Sequence, residues 1–132
     1  MQSCLRDIRP PLQPPRFMLL AVEDDGSVAA AAVWTELDGP GAVELEFAAV
    51  GRPYRGGGGA VAKEVMSRVF DAITQRAIDV GEPEVLVQGW IWHENLASKR
   101  LSRKMGMSQV GWGAAGVEQW EARIPVAGVE PD

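Results

Sequence analysis

The sequence contains very few of the side chains on which covalent and metal chemistry in proteins usually depends. It has one cysteine, Cys4, one histidine, His93, and one tyrosine, Tyr54. A single cysteine excludes an internal disulfide, and one thiol with one imidazole cannot build a thiolate or imidazole metal cluster. No signal peptide is visible, and no apolar run is long enough to span a membrane. These absences predict a cytoplasmic protein with no metal, no disulfide and no membrane partner.

Basic residues are also scarce relative to acidic ones. The chain has 13 Lys and Arg against 18 Asp and Glu, for a formal net charge of −5. General nucleic-acid binding needs a basic surface, so no nucleic-acid partner is expected. An acidic chain is compatible with a cationic acceptor such as an amine. The 132 residues, 46% of them hydrophobic, suit one globular domain with one core.

Prolines, glycines and polar clusters divide the chain into short segments of regular pattern. Residues 1–16 are rich in proline, which predicts an extended arm. Apolar periodicity predicts six strands and two helices. The strands are Phe17–Glu23, Ser27–Leu37, Ala42–Val50, Glu84–Trp92, Met107–Trp112 and Val117–Ile124, and the helices are Ala60–Val80 and Asn95–Met105. Residues 17–124 are thus predicted to form one α/β domain with a mixed sheet, and residues 125–132 a tail.

The first helix connects the third strand to the fourth as a crossover, so these two strands are predicted to be parallel. The third strand alternates clearly. Its two predicted faces carry Val43, Leu45, Phe47 and Ala49 on one side and Glu44, Glu46 and Ala48 on the other.

A run of four glycines joins the third strand to the long helix. Gly56, Gly57, Gly58 and Gly59 have no Cβ, so a ligand can approach the main chain closely. The first N–H groups of the following helix have no intrahelical acceptor and lie at the positive end of its dipole. Arg55 adds a cation beside them. This arrangement predicts a cradle for a phosphate or pyrophosphate.

Other glycine loops fit this stretch less well. The dinucleotide fingerprint needs three spaced glycines, whereas these are consecutive. The P-loop needs Lys and then Ser or Thr after its last glycine, where Ala60 and Val61 stand. A flexible glycine linker is the plain alternative, but a well-formed helix follows at once.

Two stretches resemble the signatures of the GNAT acyltransferase superfamily. Residues 55–60 match its Arg/Gln-x-x-Gly-x-Gly/Ala motif, and Val50, Pro53 and Tyr54 resemble the lead-in to that loop. Residues 95–107 resemble its second signature, in which Asn starts a helix and Gly with an apolar residue closes it. The matching positions are Asn95, Ser98, Leu101, Lys104, Gly106 and Met107.

The resemblance covers residues 17–124 and implies a GNAT-like fold, a mixed central β-sheet with two main helices. The fold would be N-terminally truncated, because the family's usual first strand and two helices have no counterpart before Phe17. The missing strand would leave the Phe17 strand as an exposed edge, which proteins tend to cover. A homodimer or a hetero-partner covering that edge is therefore expected.

The family binds acyl-CoA, usually acetyl-CoA, and transfers the acyl group directly to an amine. The resemblance implies that the third and fourth strands separate near Val50 and Ile91 to admit the pantetheine arm. It also implies that a backbone N–H near Ala49 or Val50 binds the thioester carbonyl. The remaining residues expected to contact acetyl-CoA are Arg55, Gly56, Gly57, Gly58, Gly59, Ala60, Asn95 and Ser98.

The catalytic residues are also inferred from the resemblance. Glu44 stands where the family often has a glutamate base, and Glu46 is a second candidate on the same predicted face. Ser102 stands where the family often has a tyrosine that protonates the departing thiolate. A serine hydroxyl is shorter and much less acidic than a tyrosine hydroxyl. Three possibilities follow: Ser102 acts on the sulfur through water, another group is the acid, or the thiolate departs without an acid.

Several other side chains have two interpretations. Trp90 and Trp92 share a predicted strand face and either line the acceptor pocket or fill an edge of the core. The basic side chains of the second helix are predicted to form a solvated face in preference to contacting the CoA 3′-phosphate. They are Lys99, Arg100, Arg103 and Lys104.

Together these features predict an N-acetyltransferase that uses acetyl-CoA and a primary amine acceptor. A catalytically silent acyl-CoA-binding or assembly module on the same fold is the alternative. It is favoured by Ser102 and by the missing N-terminal elements. A nucleotide-binding regulatory domain is a third possibility, and it would bind ATP or NAD as well as CoA.

Overall fold

The computed structural model describes residues 6–8, 16–50 and 60–126, with side chains for residues 16–46 and 61–126. Seven strands and two α-helices are found in these ranges. In chain order they are β1 (Arg6–Ile8), β2 (Arg16–Val22), β3 (Val28–Glu36), β4 (Ala42–Val50), α1 (Ala60–Val80), β5 (Glu84–Trp92), α2 (Leu96–Lys104), β6 (Ser108–Trp112) and β7 (Val117–Pro125). The predicted bounds of the third strand, the fourth strand and the first helix are confirmed.

The strands form one sheet in the order β1-β2-β3-β4-β5-β7-β6. Only β4 and β5 pair in parallel, and the other neighbours are antiparallel. Helix α1 connects the two parallel strands, as the crossover rule requires. The predicted mixed sheet and its parallel central pair are therefore confirmed.

Helix α1 packs on the sheet through apolar residues spaced three and four apart. Val65, Val69, Ile73 and Ala77 are all buried, and this spacing places them on one side of a helix. The sheet contributes buried apolar side chains to the same core, among them Leu19, Ala30, Ala32, Val43, Val85, Val87, Trp120 and Ala122. Each fully buried Val or Leu stabilises the fold by about 1.5–3 kcal/mol relative to an exposed one.

The ends of both helices follow the predicted signals. The Oδ1 of Asn95 accepts a hydrogen bond of 3.1 Å from the N–H of Ser98, so Asn95 caps α2. Gly81 and Gly106 follow α1 and α2 with φ values of 90° and 88°. Residues with a Cβ rarely adopt such angles, and glycine adopts them readily.

The first strand corrects the expectation of an exposed edge at the Phe17 strand. Arg6, Asp7 and Ile8 pair antiparallel with Val22, Ala21 and Leu20 of β2. None of these three residues is a proline, so each has the backbone N–H that the hydrogen-bond ladder of a sheet needs. Part of the β2 edge is thus covered by the chain itself, which removes part of the reason for expecting a partner there. The predicted dimer or hetero-partner stays a prediction.

Strand boundaries elsewhere shift by a residue or so. β2 begins at Arg16, inside the predicted arm, and ends at Val22. β7 runs through Pro125, and the buried Val126 donates its backbone N–H to the carbonyl of Pro83 over 3.1 Å. The first residues of the predicted tail therefore pack on the domain.

Candidate active site

The two parallel strands separate before they end. Their paired residues run from Ala42 with Leu86 to Leu45 with Gly89, although β4 continues to Val50 and β5 to Trp92. The predicted separation of these strands is confirmed, but it begins earlier along β4 than the position near Val50 that was expected. Beyond the last pair, the β5 backbone has no β4 partner on that side.

A β-bulge in β4 lies at the point of separation. Trp34 of β3 pairs with Leu45 and its neighbour Val33 pairs with Phe47, so Glu46 is the extra residue. A bulge bends its strand and increases the local twist, which directs the second half of β4 away from β5. The bulge also corrects the prediction of uninterrupted alternation along this strand.

The separated strands and the two helices enclose a cleft of about 250 Å³. The floor and walls come from β4, β5, the first half of α1, and α2 with Asn95 before it and Met107 after it. The lining residues are Leu45, Glu46, Met66, Gly89, Trp90, Ile91, Trp92, Asn95, Ser98, Leu101, Ser102 and Met107. The cleft is open to solvent and is lined by both apolar and polar side chains.

Helix α2 contributes the predicted polar residues to this cleft. Asn95, Ser98 and Ser102 all line it, and the two serines are half-buried. Because the Asn95 side chain already accepts the Ser98 N–H, its position at the helix start is fixed. Sequence reasoning placed these three residues at one site, and the structure brings them together.

Glu44 lies beside the cleft, on the sheet face that points away from α1. Its Oε1 accepts a hydrogen bond of 2.8 Å from Nε1 of Trp90. Trp90 and Trp92 alternate with the buried face of β5, and each is 47% exposed. The two tryptophans therefore line an open surface rather than fill the core.

Glu46 has different partners. Its carboxylate accepts a hydrogen bond from Oγ1 of Thr35 and lies 3.4 Å from Nε of Arg16. Thr35 pairs with Glu44 across the sheet, so both carboxylates are on the same side. The two differ in charge balance. Glu46 has a cationic neighbour, whereas Glu44 is bonded to a neutral indole and forms no ion pair within the described residues.

A buried ion pair attaches α2 to β7. Lys99 Nζ donates to Glu118 Oε2 over 2.9 Å and to the carbonyl of His93 over 3.1 Å. Nε1 of Trp120 donates to the other oxygen of Glu118 over 3.0 Å. The hydrogen bond from Lys99 lowers the pKa of Glu118, and the bond from Trp120 acts in the same direction.

This network corrects the interpretation of Lys99 as part of a solvated helix face or as a phosphate contact. The Lys99 side chain is only 15% exposed and points inward. The Cζ of Arg103 lies 5.2 Å from the centre of the Trp120 ring, so this cation also packs on the sheet. Arg100 and Lys104 remain exposed.

The glycine cradle lies outside the described residues. This applies to Arg55, Gly56, Gly57, Gly58 and Gly59. Their predicted role stays a prediction. Ala49 and Val50 belong to the half of β4 that pairs with β3 and has no β5 partner, and Ala60 is the first residue of α1. The cradle residues therefore connect the separated strand directly to the start of the long helix.

Sequence reasoning missed the partners of the two glutamates. Thr35 and Arg16 have no motif that marks them, because their role follows only from strand register. The alternation of Trp90 and Trp92 was visible, but the bond from Trp90 to Glu44 joins residues 46 positions apart.

Residues 16–46 and 61–126 hold no group of three or more His, Cys, Asp or Glu side chains that could bind a metal ion. Within the described helices, none has the length and apolar character needed to cross a membrane.

No protein-family model and no curated protein matches the sequence. Solved structures do match the fold. Nourseothricin acetyltransferase superimposes with a TM-score of 0.65 at 17% identity, over 93% of this chain and 85% of its own. The IAA acetyltransferase from Bacillus cereus ATCC 14579 gives 0.68 at 12% identity, over 93% and 100%.

The acetyltransferase of GNAT family from Streptococcus pneumoniae gives a TM-score of 0.64 at 18% identity, over 85% of this chain and 69% of its own. At these identities the likeness establishes the fold. The chain therefore has the fold of the GNAT acetyltransferases, as its two signature stretches predicted.

Proposed function

We propose that this protein is an N-acyltransferase of the GNAT superfamily, which uses acetyl-CoA to acetylate a primary amine. The observation that carries this proposal is the cleft between β4 and β5. It opens beyond Leu45 and Gly89, where the strands lose their pairing, and polar residues of α2 line it. The structural neighbours named above are acetyltransferases, which supports acyl transfer as the general chemistry.

The cleft suits a slender, polar chain such as pantetheine. Strand-edge N–H and C=O groups that have lost their neighbour can pair with the amides of an extended ligand. The hydroxyls of Ser98 and Ser102 offer further hydrogen bonds, and Leu101 and Met107 provide apolar contact. The pyrophosphate would follow along the chain to Arg55 and the four glycines, where unpaired N–H groups favour an anion.

In this proposal Glu44 is the base. An ammonium must lose a proton before its nitrogen can attack the thioester carbonyl, and a nearby carboxylate can accept that proton directly or through water. The nitrogen then forms the new C–N bond, the C–S bond breaks, and the thiolate of CoA leaves. Glu46 is the weaker candidate because Arg16 lies 3.4 Å from its carboxylate.

Ser102 lines the cleft where the thiolate would depart. A serine hydroxyl can donate a hydrogen bond to sulfur, directly or through water, without transferring its proton. We propose this role for Ser102. A catalytically silent acyl-CoA-binding or assembly module remains the alternative, because Ser102 replaces the more acidic tyrosine. A cytoplasmic location stays a prediction from the sequence.

The first experiment separates donor binding from chemistry. Acetyl-CoA is titrated calorimetrically into the wild type, Gly58→Glu and Gln109→Glu. The first variant adds bulk and negative charge to the proposed cradle, whereas the second adds the same charge on the exposed strand β6. We expect the wild type and Gln109→Glu to bind acetyl-CoA and Gly58→Glu to lose binding. Equal binding by all three proteins would refute the cradle.

The second experiment tests turnover. Thiol release from acetyl-CoA is followed with a panel of primary amines for the wild type, Glu44→Gln and Glu46→Gln. Removal of a general base costs roughly 100-fold or more in rate. We expect that loss in Glu44→Gln with acetyl-CoA affinity unchanged, and a smaller loss in Glu46→Gln. Binding of acetyl-CoA without turnover by the wild type would favour the silent module, and equal binding of ATP or NAD would favour the regulatory domain.

A further inference from the structure

The face of β5 beside Glu44 carries two tryptophans whose exposure needs an explanation. Trp90 and Trp92 are each 47% exposed, and residues two apart on a strand project from the same face about 6.8 Å from each other. Adjacent large aromatic side chains on a protein surface indicate a binding site, because burying them in the core would have stabilised the fold. Both residues also line the cleft proposed for the thioester.

Both indole rings lie close to glycines of the β6–β7 connection. A Cβ on Gly113 would lie 2.8 Å from Cζ3 of Trp90, and a Cβ on Gly116 would lie 3.0 Å from Cζ3 of Trp92. A side chain at Gly113 would require the Trp90 ring to shift, and a Cβ at Gly116 would also meet Cδ2 of His93 at 2.8 Å. The Trp92 ring also lies against His93, with 4.5 Å between ring centres. Each exposed ring thus has neighbouring atoms packed on one side of it.

Negative charge lies directly beside these rings. One oxygen of Glu44 accepts the Trp90 N–H, which leaves its other oxygen as an acceptor. Glu46 lies on the same side of the sheet and also lines the cleft. An aromatic face attracts a cation through its quadrupole, and a carboxylate next to that face attracts the same cation by charge.

We infer that this surface is the acceptor site and that it selects an aliphatic ammonium ion with no carboxylate next to its nitrogen. The inference rests on the proposed acyltransferase function and names its substrate class. The charged nitrogen lies over the face of the Trp90 ring and against the second oxygen of Glu44, which the Trp90 N–H does not occupy, and the alkyl chain extends over Trp92. An amino acid is disfavoured because its carboxylate would lie against the carboxylate of Glu44, which forms no ion pair within the described residues.

Binding of the amine is tested without acetyl-CoA, so that the result does not depend on turnover. Wild-type protein labelled with ¹⁵N is titrated with butylammonium chloride, butan-1-ol and norvaline, and the indole N–H resonances are followed. Butan-1-ol keeps the chain and lacks the charge, whereas norvaline is butylamine with a carboxylate beside the nitrogen. Trp90→Phe and Trp92→Phe assign the two resonances.

We expect butylammonium to shift the Trp90 and Trp92 resonances in a saturable manner. Butan-1-ol and norvaline should bind with affinities at least about tenfold lower than that of butylammonium. Trp112 is the internal control, since it is 64% exposed and pairs with Glu118, which faces α2. Equal shifts from all three compounds, or equal shifts at Trp112, would overturn the inference.

Two glycine variants test the position of the Trp90 ring without changing any residue of the site. Gly113→Ala places a methyl group against the ring and should weaken butylammonium binding about tenfold. Gly111→Ala is the matched control, because its Cβ would meet only Oε1 of Gln119 at 3.5 Å. Equal affinity in the two variants would show that the ring does not hold the ligand.

The outcomes separate this inference from the proposed function. Suppose that the protein releases thiol in the presence of norvaline, and that butylammonium shifts neither indole resonance. The acyltransferase proposal then holds and the inference fails. If butylammonium binds at Trp90 and Trp92 but acetyl-CoA does not bind, the cation site holds and the acyltransferase proposal fails.

Discussion

Leu45 and Gly89 form the last pair of the parallel ladder between β4 and β5, and the cleft begins immediately beyond them. Because Gly89 is buried and lines the cleft, the size of the side chain at this position controls how much of the cleft is open. A Cβ there would meet the carbonyl of Leu45 at 3.6 Å and Cε of Met107 at 3.9 Å, both ordinary contacts.

The first prediction follows from this contact. Gly89→Ala should fit and keep the affinity for acetyl-CoA within about threefold. Gly89→Val adds two methyl groups that extend into the cleft, and it should lower the affinity at least about tenfold. Calorimetric titration measures both, and a circular dichroism melt confirms that each variant is folded. Tight binding by a folded Gly89→Val would contradict the location of the donor site.

The second prediction concerns the hydrogen bond from Trp90 to Glu44. Trp90→Phe keeps an aromatic ring and removes the indole N–H that fixes the carboxylate. We expect kcat to fall about tenfold, since the proposed base loses its orientation, while the affinity for acetyl-CoA stays the same. Steady-state kinetics and donor titration distinguish the two effects. The control is Trp112→Phe, which should match the wild type. Unchanged kcat in Trp90→Phe would exclude an orienting role.

The third prediction concerns the buried pair of Lys99 and Glu118. Lys99→Met leaves the carboxylate of Glu118 buried without its cation and should lower Tm by roughly 5 °C or more. Lys104→Met removes the same kind of side chain from an exposed position of α2 and should change Tm by only about 1–2 °C. Calorimetric melts measure the Tm of both variants. Equal changes in Tm would show that the buried pair stabilises the fold no more than an exposed lysine does.

The pair of Lys99 and Glu118 also predicts that the stability of the fold depends on pH. The Lys99 hydrogen bond lowers the pKa of Glu118 in the folded state below its ordinary value of 4.5. The folded state therefore gains stability from this group above pH 4.5, and that gain is lost as the pH falls through the lowered pKa. The difference in Tm between the wild type and Lys99→Met should be full at pH 7 and shrink below pH 4.5. A difference that grows on acidification would contradict the assignment.

The fourth prediction compares two ion pairs. Arg76 donates from both Nε and Nη2 to the carboxylate of Glu36, which is 6% exposed, and its Cζ lies 5.0 Å from the centre of the Phe17 ring. Arg76→Met should lower the free energy of unfolding by about 2 kcal/mol, because a nearly buried carboxylate loses its partner. Arg123→Met breaks an exposed pair with Glu84 and should cost less than about 1 kcal/mol. Urea unfolding measures both, and equal losses would refute the distinction.

The secondary structure followed largely from local sequence pattern. The bounds of α1, β4 and β5 were predicted to the residue, because apolar periodicity and flanking glycines or prolines are properties of adjacent residues. The parallel pairing of β4 and β5 followed from the length and type of the element between them. Asn95 as a helix cap was visible from its place before the helix.

The candidate site depended on the sequence for its residue types and on the tertiary structure for its geometry. The glycine run, the second signature at residues 95–107 and the position of Glu44 were evident from the chain alone and suggested the acyltransferase family, whereas Ser102 was a departure from the family pattern. The bulge at Glu46, the strand β1 and the place where β4 and β5 separate were not evident, because each depends on which strands pair and in what register.

The sequence by itself therefore determined both helices, six of the seven described strands, their order and the class of fold, since these depend on interactions between residues close in the chain. Only the tertiary structure decided that Trp90 holds Glu44, that Lys99 turns inward to Glu118, and that Arg16 lies near the carboxylate of Glu46. The physical reason is distance along the chain. These pairs are 46, 19 and 30 residues apart, and their contacts form only when the sheet brings the strands together.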